Sequence, residues 1–246
     1  MPPVYVINLD RDLERMASLA GYLGQLGLAY TRIPAVLGKT IPDWEQLVDA
    51  KLYGDRNRLP LPRAGEVGCY LSHLKAMEAF LQTAEPWCVI LEDDVEVRPE
   101  CVDVLRALGQ RDDWDFVKLF CFHSGMPVRK RALTASHHLV VHLTRTTSSA
   151  AYALNRRAAE TLLKSMRPIS EQVDHALERP WETGLRVRGV RPLPVVLAPV
   201  AATTTIGYAD RGDRSLPWWR ALHLFRSRAS KETRRFLNGL AESYLR

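Results

Sequence analysis

The chain has 246 residues, 46% hydrophobic and 25% charged, which describes a globular protein with a sizeable core and excludes a disordered or fibrous one. Its formal charge of +6, from 34 Lys and Arg against 28 Asp and Glu, fits an anionic partner such as a phosphate-bearing ligand or an anionic membrane surface. A nucleic-acid partner is not expected, because the basic residues of the central segments are not interleaved with stacking aromatics.

Val4 to Leu9 is a short apolar run with β-branched residues and reads as a buried strand. Leu13, Met16, Leu19, Ala20, Leu23 and Leu26 then share one helix face, with Gly27 as the stop. Tyr30 to Val36 follows as a second strand, so the start of the chain predicts a parallel strand-helix-strand unit. A helix is expected near Asp43 to Leu52, then a proline-containing charged loop, then a strong helix from Gly65 to Ala84 that Pro86 ends. Cys88 to Leu91 is a continuous apolar strand, followed by a helix over 99–108 and a strand over 114–120. Leu139 to Leu143 and Ser149 to Leu154 are further strands, and Asn155 caps a helix through Met166. A short helix near Val173 to Arg179 and a strand near Val187 to Val196 complete the regular part. The alternation makes the class α/β, with one domain over 1–215 and a basic helical extension over 216–246.

The N-terminal residues MPPVYVINLD carry neither a basic nor a long apolar region of the secretory type, and no run of about 18 apolar residues occurs. Four cysteines, Cys69, Cys88, Cys101 and Cys121, form no CxxC pair and have no zinc-ligand spacing. They read as reduced thiols filling apolar segments, which favours a cytoplasmic location.

The strand Cys88 to Leu91 runs directly into Glu92, Asp93 and Asp94. Three adjacent carboxylates repel one another, and desolvating them is costly unless a cation or hydrogen bonds compensate. Ligands of open α/β sheets bind at the carboxyl ends of strands, and hard cations such as Mn²⁺ or Mg²⁺ prefer carboxylate oxygens. A solvated acidic turn is the competing reading. In Glu66-Val67-Gly68-Cys69-Tyr70-Leu71-Ser72-His73, Glu66 and His73 share a helix face. Gly68 is unfavourable there by up to about 1 kcal/mol, which fits close approach of another backbone or a ligand. An amphipathic helix with a capping Glu and a surface His is the alternative.

Three segments together resemble glycosyltransferase family 25, the family of lipooligosaccharide galactosyltransferases with collagen galactosyltransferases as relatives. They are Val6 to Arg11 followed by Arg15, Glu66 to Cys69 with Ser72-His73, and Ile90 to Val95. Ala151 to Leu154 leading to Ala158-Ala159 and Val173-Asp174 is a weaker fourth match. The resemblance implies a GT-A-type fold, with a Rossmann-like nucleotide-binding half joined to an acceptor-binding half. It further implies a UDP-sugar donor, most often UDP-galactose, and inversion at the anomeric carbon. Glu92, Asp93 and Asp94 would act as the metal motif, with Asp94 and Asp93 as ligands of Mn²⁺ or Mg²⁺. Asn8, Arg11, Arg15, Glu66, Ser72, His73, Glu92 and Asp93 would lie at the donor. Ala201 to Ile206 would close over it, and Cys121 to Arg131 carries no family signature.

An inverting transfer needs a general base across the sugar from the diphosphate. Asp174 is the first choice and Glu178, one helical turn on, the second; a helix cap is the plainer role for Asp174. His123, His137, His138 and His175 are minor candidates, with His175 favoured by its neighbour Asp174. Residues 217–235 combine Trp218, Trp219, Leu222 and Phe225 with six basic residues and one acid. That pattern suits either an interfacial helix on the inner face of an anionic membrane, beside a lipid-linked oligosaccharide acceptor, or a helix docked on the domain. A metal-dependent phosphohydrolase or nucleotidyltransferase is the alternative function, since acids at a strand end also serve phosphoryl chemistry.

Overall fold

The computed structural model describes residues 1–199 and 217–244, with only the backbone of Arg129 and Lys130. The expected donor-closing segment Ala201 to Ile206 therefore lies outside the described residues.

The N-terminal unit is as the pattern predicts. β1 (Val4–Asn8) leads through α1 (Leu13–Gln25) to β2 (Tyr30–Pro34), and β1 pairs in parallel with β2. Gly27 takes a φ of 63°, the left-handed region that ends the helix without a Cβ penalty. The helix expected over 43–52 is instead a one-turn 3-10 segment, Trp44–Leu47, and a short α2, Ala50–Arg56. Asp49 breaks it: its side chain accepts from the Leu52 N–H at 2.8 Å and starts a new helix.

The long α3 (Ala64–Leu81) precedes β3 (Trp87–Glu92), which lies parallel to β1 on its other side. Then come β4 (Val95–Val97), α4 (Cys101–Gly109), β5 (Phe116–Lys118), β6 (Pro127–Ala132), β7 (His138–His142), β8 (Ala151–Asn155) and α5 (Arg156–Ser165). Asn155 caps α5 as expected, accepting from the Ala158 N–H at 2.9 Å. The single helix expected over 173–179 is divided into α6 (Val173–Ala176) and α7 (Pro180–Thr183), with Pro180 opening the second. The strand expected over 187–196 is β9 (Val187–Arg191) and β10 (Val195–Leu197), parted by Pro192 and Pro194. β4 and β6 were not expected from the pattern; β4 pairs with β10 in a small separate sheet.

The main sheet has eight strands in the order β2-β1-β3-β8-β5-β9-β7-β6. β2, β1 and β3 form a parallel half, while β8 and β7 run against their neighbours in the second half. This is the two-half α/β arrangement expected of a GT-A-type fold. Residues of β1 alternate between two cores: Tyr5 and Ile7 face α3 and α5, while Val4 and Val6 face α1 and α4. The sheet is covered on both sides, as parallel strands require.

The final helix α8 (Trp218–Tyr244) packs on this body. Arg188 of β9, 1% exposed, donates to Glu242 at 2.6 Å. Lys231 donates to Glu171 at 2.8 Å, and the Arg235 guanidinium lies 5.2 Å from the Trp181 ring centre. The opposite face of its first turns stays exposed, with Trp218 at 77% and Phe225 at 69%. No described helix is long and apolar enough to cross a membrane.

Candidate active site

β1 and β3 are neighbours in register, with Ile7 opposite Glu92. Their carboxyl ends therefore bring Asn8 beside the acidic turn that follows β3. Asn8 is buried and donates from Nδ2 to Asp93 Oδ2 at 2.6 Å, while its Oδ1 accepts from Arg32 Nε at 2.8 Å. Arg15, on the first turn of α1, reaches Asp93 at 3.3 Å and Asp94 at 4.0 Å. Asp93 is thus held by two donors.

Asp94 is placed differently. Among the described residues its Oδ1 is buried and has no hydrogen-bond partner. Burial, followed by repulsion from Glu92 and Asp93, pushes its carboxyl up to about 7, against the pull of Arg15. A buried carboxylate oxygen with no donor, flanked by two further carboxylates, fits a cation in chemistry and in charge.

Glu92 turns the other way, towards α3. Its Oε1 accepts from Ser149 Oγ at 2.6 Å and lies 3.2 Å from His73 Nε2. His73 is fully buried, and its Nδ1 lies 2.9 Å from the Tyr152 hydroxyl. Burial would raise the Glu92 carboxyl, but His73, Ser149 and Arg15 outweigh it and hold it below its usual range. Cys69, one helical turn before His73, completes the group. Burial pushes its thiol up, and Glu92, Asp174, Asp94 and Glu66 add to the rise in that order. Four carboxylates from three parts of the chain therefore act on one thiol.

α3 can sit this close because of two glycines. A Cβ on Gly68 would lie 2.4 Å from the Val36 carbonyl oxygen, and one on Gly38 would lie 1.7 Å from that of Ala64. Ser72 fastens the contact, donating to the Gly68 carbonyl at 2.7 Å and accepting from the Val36 N–H at 2.8 Å. Glu66 closes the start of α3: it accepts from the Arg63 N–H at 2.8 Å and from Gln172 Nε2 at 3.1 Å. In this structure Glu66 and Ser72 brace the helix that carries His73. Arg11 is exposed, 3.7 Å from Asp12.

Asp174 lies in α6, half-buried, and its Oδ1 accepts from the His175 N–H at 2.9 Å. Its neighbours Val173 and Ala176 pack in the same core as α3, and its charge acts on both Cys69 and Lys118. Glu178 is buried in an ion pair with Lys118 of β5. Burial pushes the Lys118 ammonium down from the ordinary lysine range, with Cys121 and Asp174 pulling the other way. Burial also lowers His175, opposed by Asp174. His137 is a local tie, with Nδ1 at 3.0 Å from Ser136 Oγ.

Sequence reasoning passed over Arg32, Lys118 and Ser149, and held Tyr152 only as part of the weaker fourth match, with no site role. Lys118 alone gave a signal, a lone cation between Phe116-Val117 and Leu119-Phe120. The others are recognisable only once the strand register is known.

The family model of glycosyltransferase family 25 (LPS biosynthesis protein) matches residues 1–177. A glycosyltransferase 25 family member of Drosophila pseudoobscura pseudoobscura is 25% identical over 223 residues, which are 83% of this chain and 36% of that protein. Another, of Anopheles gambiae, is 29% identical over 123 residues, 46% of this chain and 21% of its own length. The chain thus spans well under half the length of these relatives. Among solved structures, a glycosyltransferase involved in the glycosylation of the major capsid of PBCV-1 aligns with a TM-score of 0.35 at 9% identity, over 67% of this chain and 65% of that one. The inositol-1-phosphate CTP transferase from T. maritima aligns with a TM-score of 0.41 at 11% identity, over 81% and 91%.

Proposed function

The chain belongs to glycosyltransferase family 25, and on that premise we propose that it moves a sugar, galactose in the first instance, from a UDP-sugar to a glycan acceptor with inversion. The observation that carries this reading is the buried Asp94 Oδ1, unpartnered among the described residues, at the joined ends of β1 and β3. Asp94, with Asp93 beside it, would hold Mn²⁺ or Mg²⁺, which when bound neutralises charge on a departing diphosphate.

The chain's own residues do the rest. Asn8 and Arg15 fix Asp93, so the acidic turn keeps its shape when the donor enters. The Arg15 guanidinium, between Asp93 and Asp94, also offers positive charge to a phosphate oxygen. Asp174 takes the proton of the acceptor hydroxyl as its oxygen attacks the anomeric carbon and the bond to UDP breaks. Asp174 is preferred to Glu178 because Glu178 is committed to Lys118.

The acceptor is a lipid-linked oligosaccharide of the lipopolysaccharide-core type. The exposed Trp218, Trp219, Leu222 and Phe225 of α8, with Arg226 and Arg228 exposed near them, suit the surface of an anionic cytoplasmic membrane.

Thermal-shift titration with UDP, ADP, GDP and CDP, each with and without Mn²⁺, tests the donor class. Ligands that bind only the folded state raise its melting temperature. A UDP-selective, metal-dependent shift that Asp94→Asn abolishes supports the reading. Release of phosphate or pyrophosphate from nucleotides, in place of intact UDP from a UDP-sugar, would establish the phosphohydrolase or nucleotidyltransferase instead.

A further inference from the structure

Cys69 and His73 are four residues apart on α3, so they share one face of the helix. The end of β3 delivers Glu92 to that face. The Cys69 sulfur, a ring nitrogen of His73 and a carboxylate oxygen of Glu92 all lie within 4.8 Å of one another. Cys69 is a free thiol.

Two hydroxyls stand behind these groups. The Tyr152 hydroxyl is 2.9 Å from His73 Nδ1, and Ser149 Oγ donates to Glu92 Oε1 at 2.6 Å. Metal-bound imidazoles and carboxylates are oriented by outer partners of this kind, which fix the tautomer and the ring plane. With its proton on Nδ1, directed to Tyr152, His73 presents a lone pair on Nε2 on the Glu92 side. Glu66, Asp94 and Asp174 lie close enough to act on the thiol as well. A dication would offset that accumulation of negative charge.

We propose that Cys69, His73 and Glu92 form a binding site for a borderline divalent metal of the zinc class, separate from the hard-cation position at Asp94. A mixed sulfur, nitrogen and oxygen donor set selects zinc-class ions over Mg²⁺ or Ca²⁺. On binding, the metal–sulfur bond replaces the S–H bond of Cys69, and the proton leaves to solvent. Three protein ligands leave one tetrahedral position for water or a ligand oxygen, the pattern of zinc sites that take part in binding or chemistry. No zinc spacing was expected from the cysteines, because the third ligand comes from the end of β3 and is no part of a local motif.

The test is titration of the chelator-stripped full chain with Co²⁺, read by absorption, then with Zn²⁺ as competitor. A tetrahedral visible spectrum, a near-ultraviolet thiolate-to-cobalt band and displacement by Zn²⁺ are expected. Cys69→Ser should remove the thiolate band, while Cys121→Ser and Asp94→Asn should keep it. Tyr152→Phe should weaken Co²⁺ binding about 10–100-fold while keeping the band. No tetrahedral cobalt spectrum in the native chain, or a thiolate band that persists in Cys69→Ser or vanishes in Cys121→Ser, overturns the proposal. Because Asp94→Asn removes the UDP response and not the cobalt band, failure of one reading is distinguishable from failure of the other.

Discussion

Asn8 and Asp93, 85 residues apart in the chain, are joined by a 2.6 Å hydrogen bond that ties the end of β1 to the turn after β3. Asn8 also accepts from Arg32. Asn8→Ala removes a donor from a buried carboxylate and an acceptor from a guanidinium. The expected cost is about 1–3 kcal/mol of stability, read from urea unfolding, together with a weaker UDP-dependent thermal shift.

Asp174→Asn separates binding from chemistry. Loss of a positioned general base lowers kcat by about 10²–10⁴-fold. The UDP-dependent rise in melting temperature should stay, because the donor contacts lie elsewhere. Near-normal turnover in this variant would remove Asp174 from the role.

Asp115 governs the acid limb of stability. It is fully buried and bound by Arg186 at 2.9 Å, Arg157 at 2.7 Å and Asn155 at 3.0 Å. Burial alone would raise its carboxyl; the Arg186 contacts and then Asn155 outweigh it and bring it to about 2. A carboxyl lowered on folding contributes stability above its unfolded value near 4 and loses it as pH falls towards 2. The contribution is on the order of 2 kcal/mol. Asp115→Asn should flatten the drop in melting temperature between about pH 4 and 2, measured by thermal scans across that range.

Gly68→Ala should destabilise the chain although Ala is the better helix former. The added Cβ would meet the Val36 carbonyl oxygen at 2.4 Å and the Gly38 nitrogen at 2.6 Å, both backbone atoms. Overpacking of this kind costs about 1–3 kcal/mol. Urea unfolding gives the sign, and an unchanged or raised midpoint would refute the close approach.

Glu242→Leu leaves Arg188 buried without its carboxylate, at a cost of about 3–5 kcal/mol. The double variant Arg188→Met with Glu242→Leu should regain most of that, since an apolar pair of similar volume needs no desolvated charge. Chemical denaturation of the two variants decides it.

Much of this was legible in the sequence. Val4 to Leu9 and Cys88 to Leu91 announced buried strands because their runs are apolar and short, and Asn155 announced its helix by its capping side chain. What failed were local interruptions. Asp49 started a new helix inside an expected one, and Pro192 and Pro194 parted one strand into two. The motif residues of α3 were visible, but not their division of labour: Glu66 and Ser72 brace the helix, while Cys69 and His73 meet Glu92. That division depends on pairing β3 with β8, which brings Tyr152 and Ser149 in behind them from more than fifty residues away. Lys118 stood out as a cation in an apolar strand, yet its partner Glu178 lies 60 residues on.

The ion pair between β9 and α8 also sets a timetable for synthesis. Arg188 leaves the ribosome 54 residues before Glu242, a gap of about 3–11 s at typical elongation rates. Through that interval the strand has its guanidinium and not its counter-charge, so the face of the sheet that α8 later covers stays open to water. A nascent chain stalled before Glu242 should accordingly expose to protease the face of β9 that α8 covers in the folded protein.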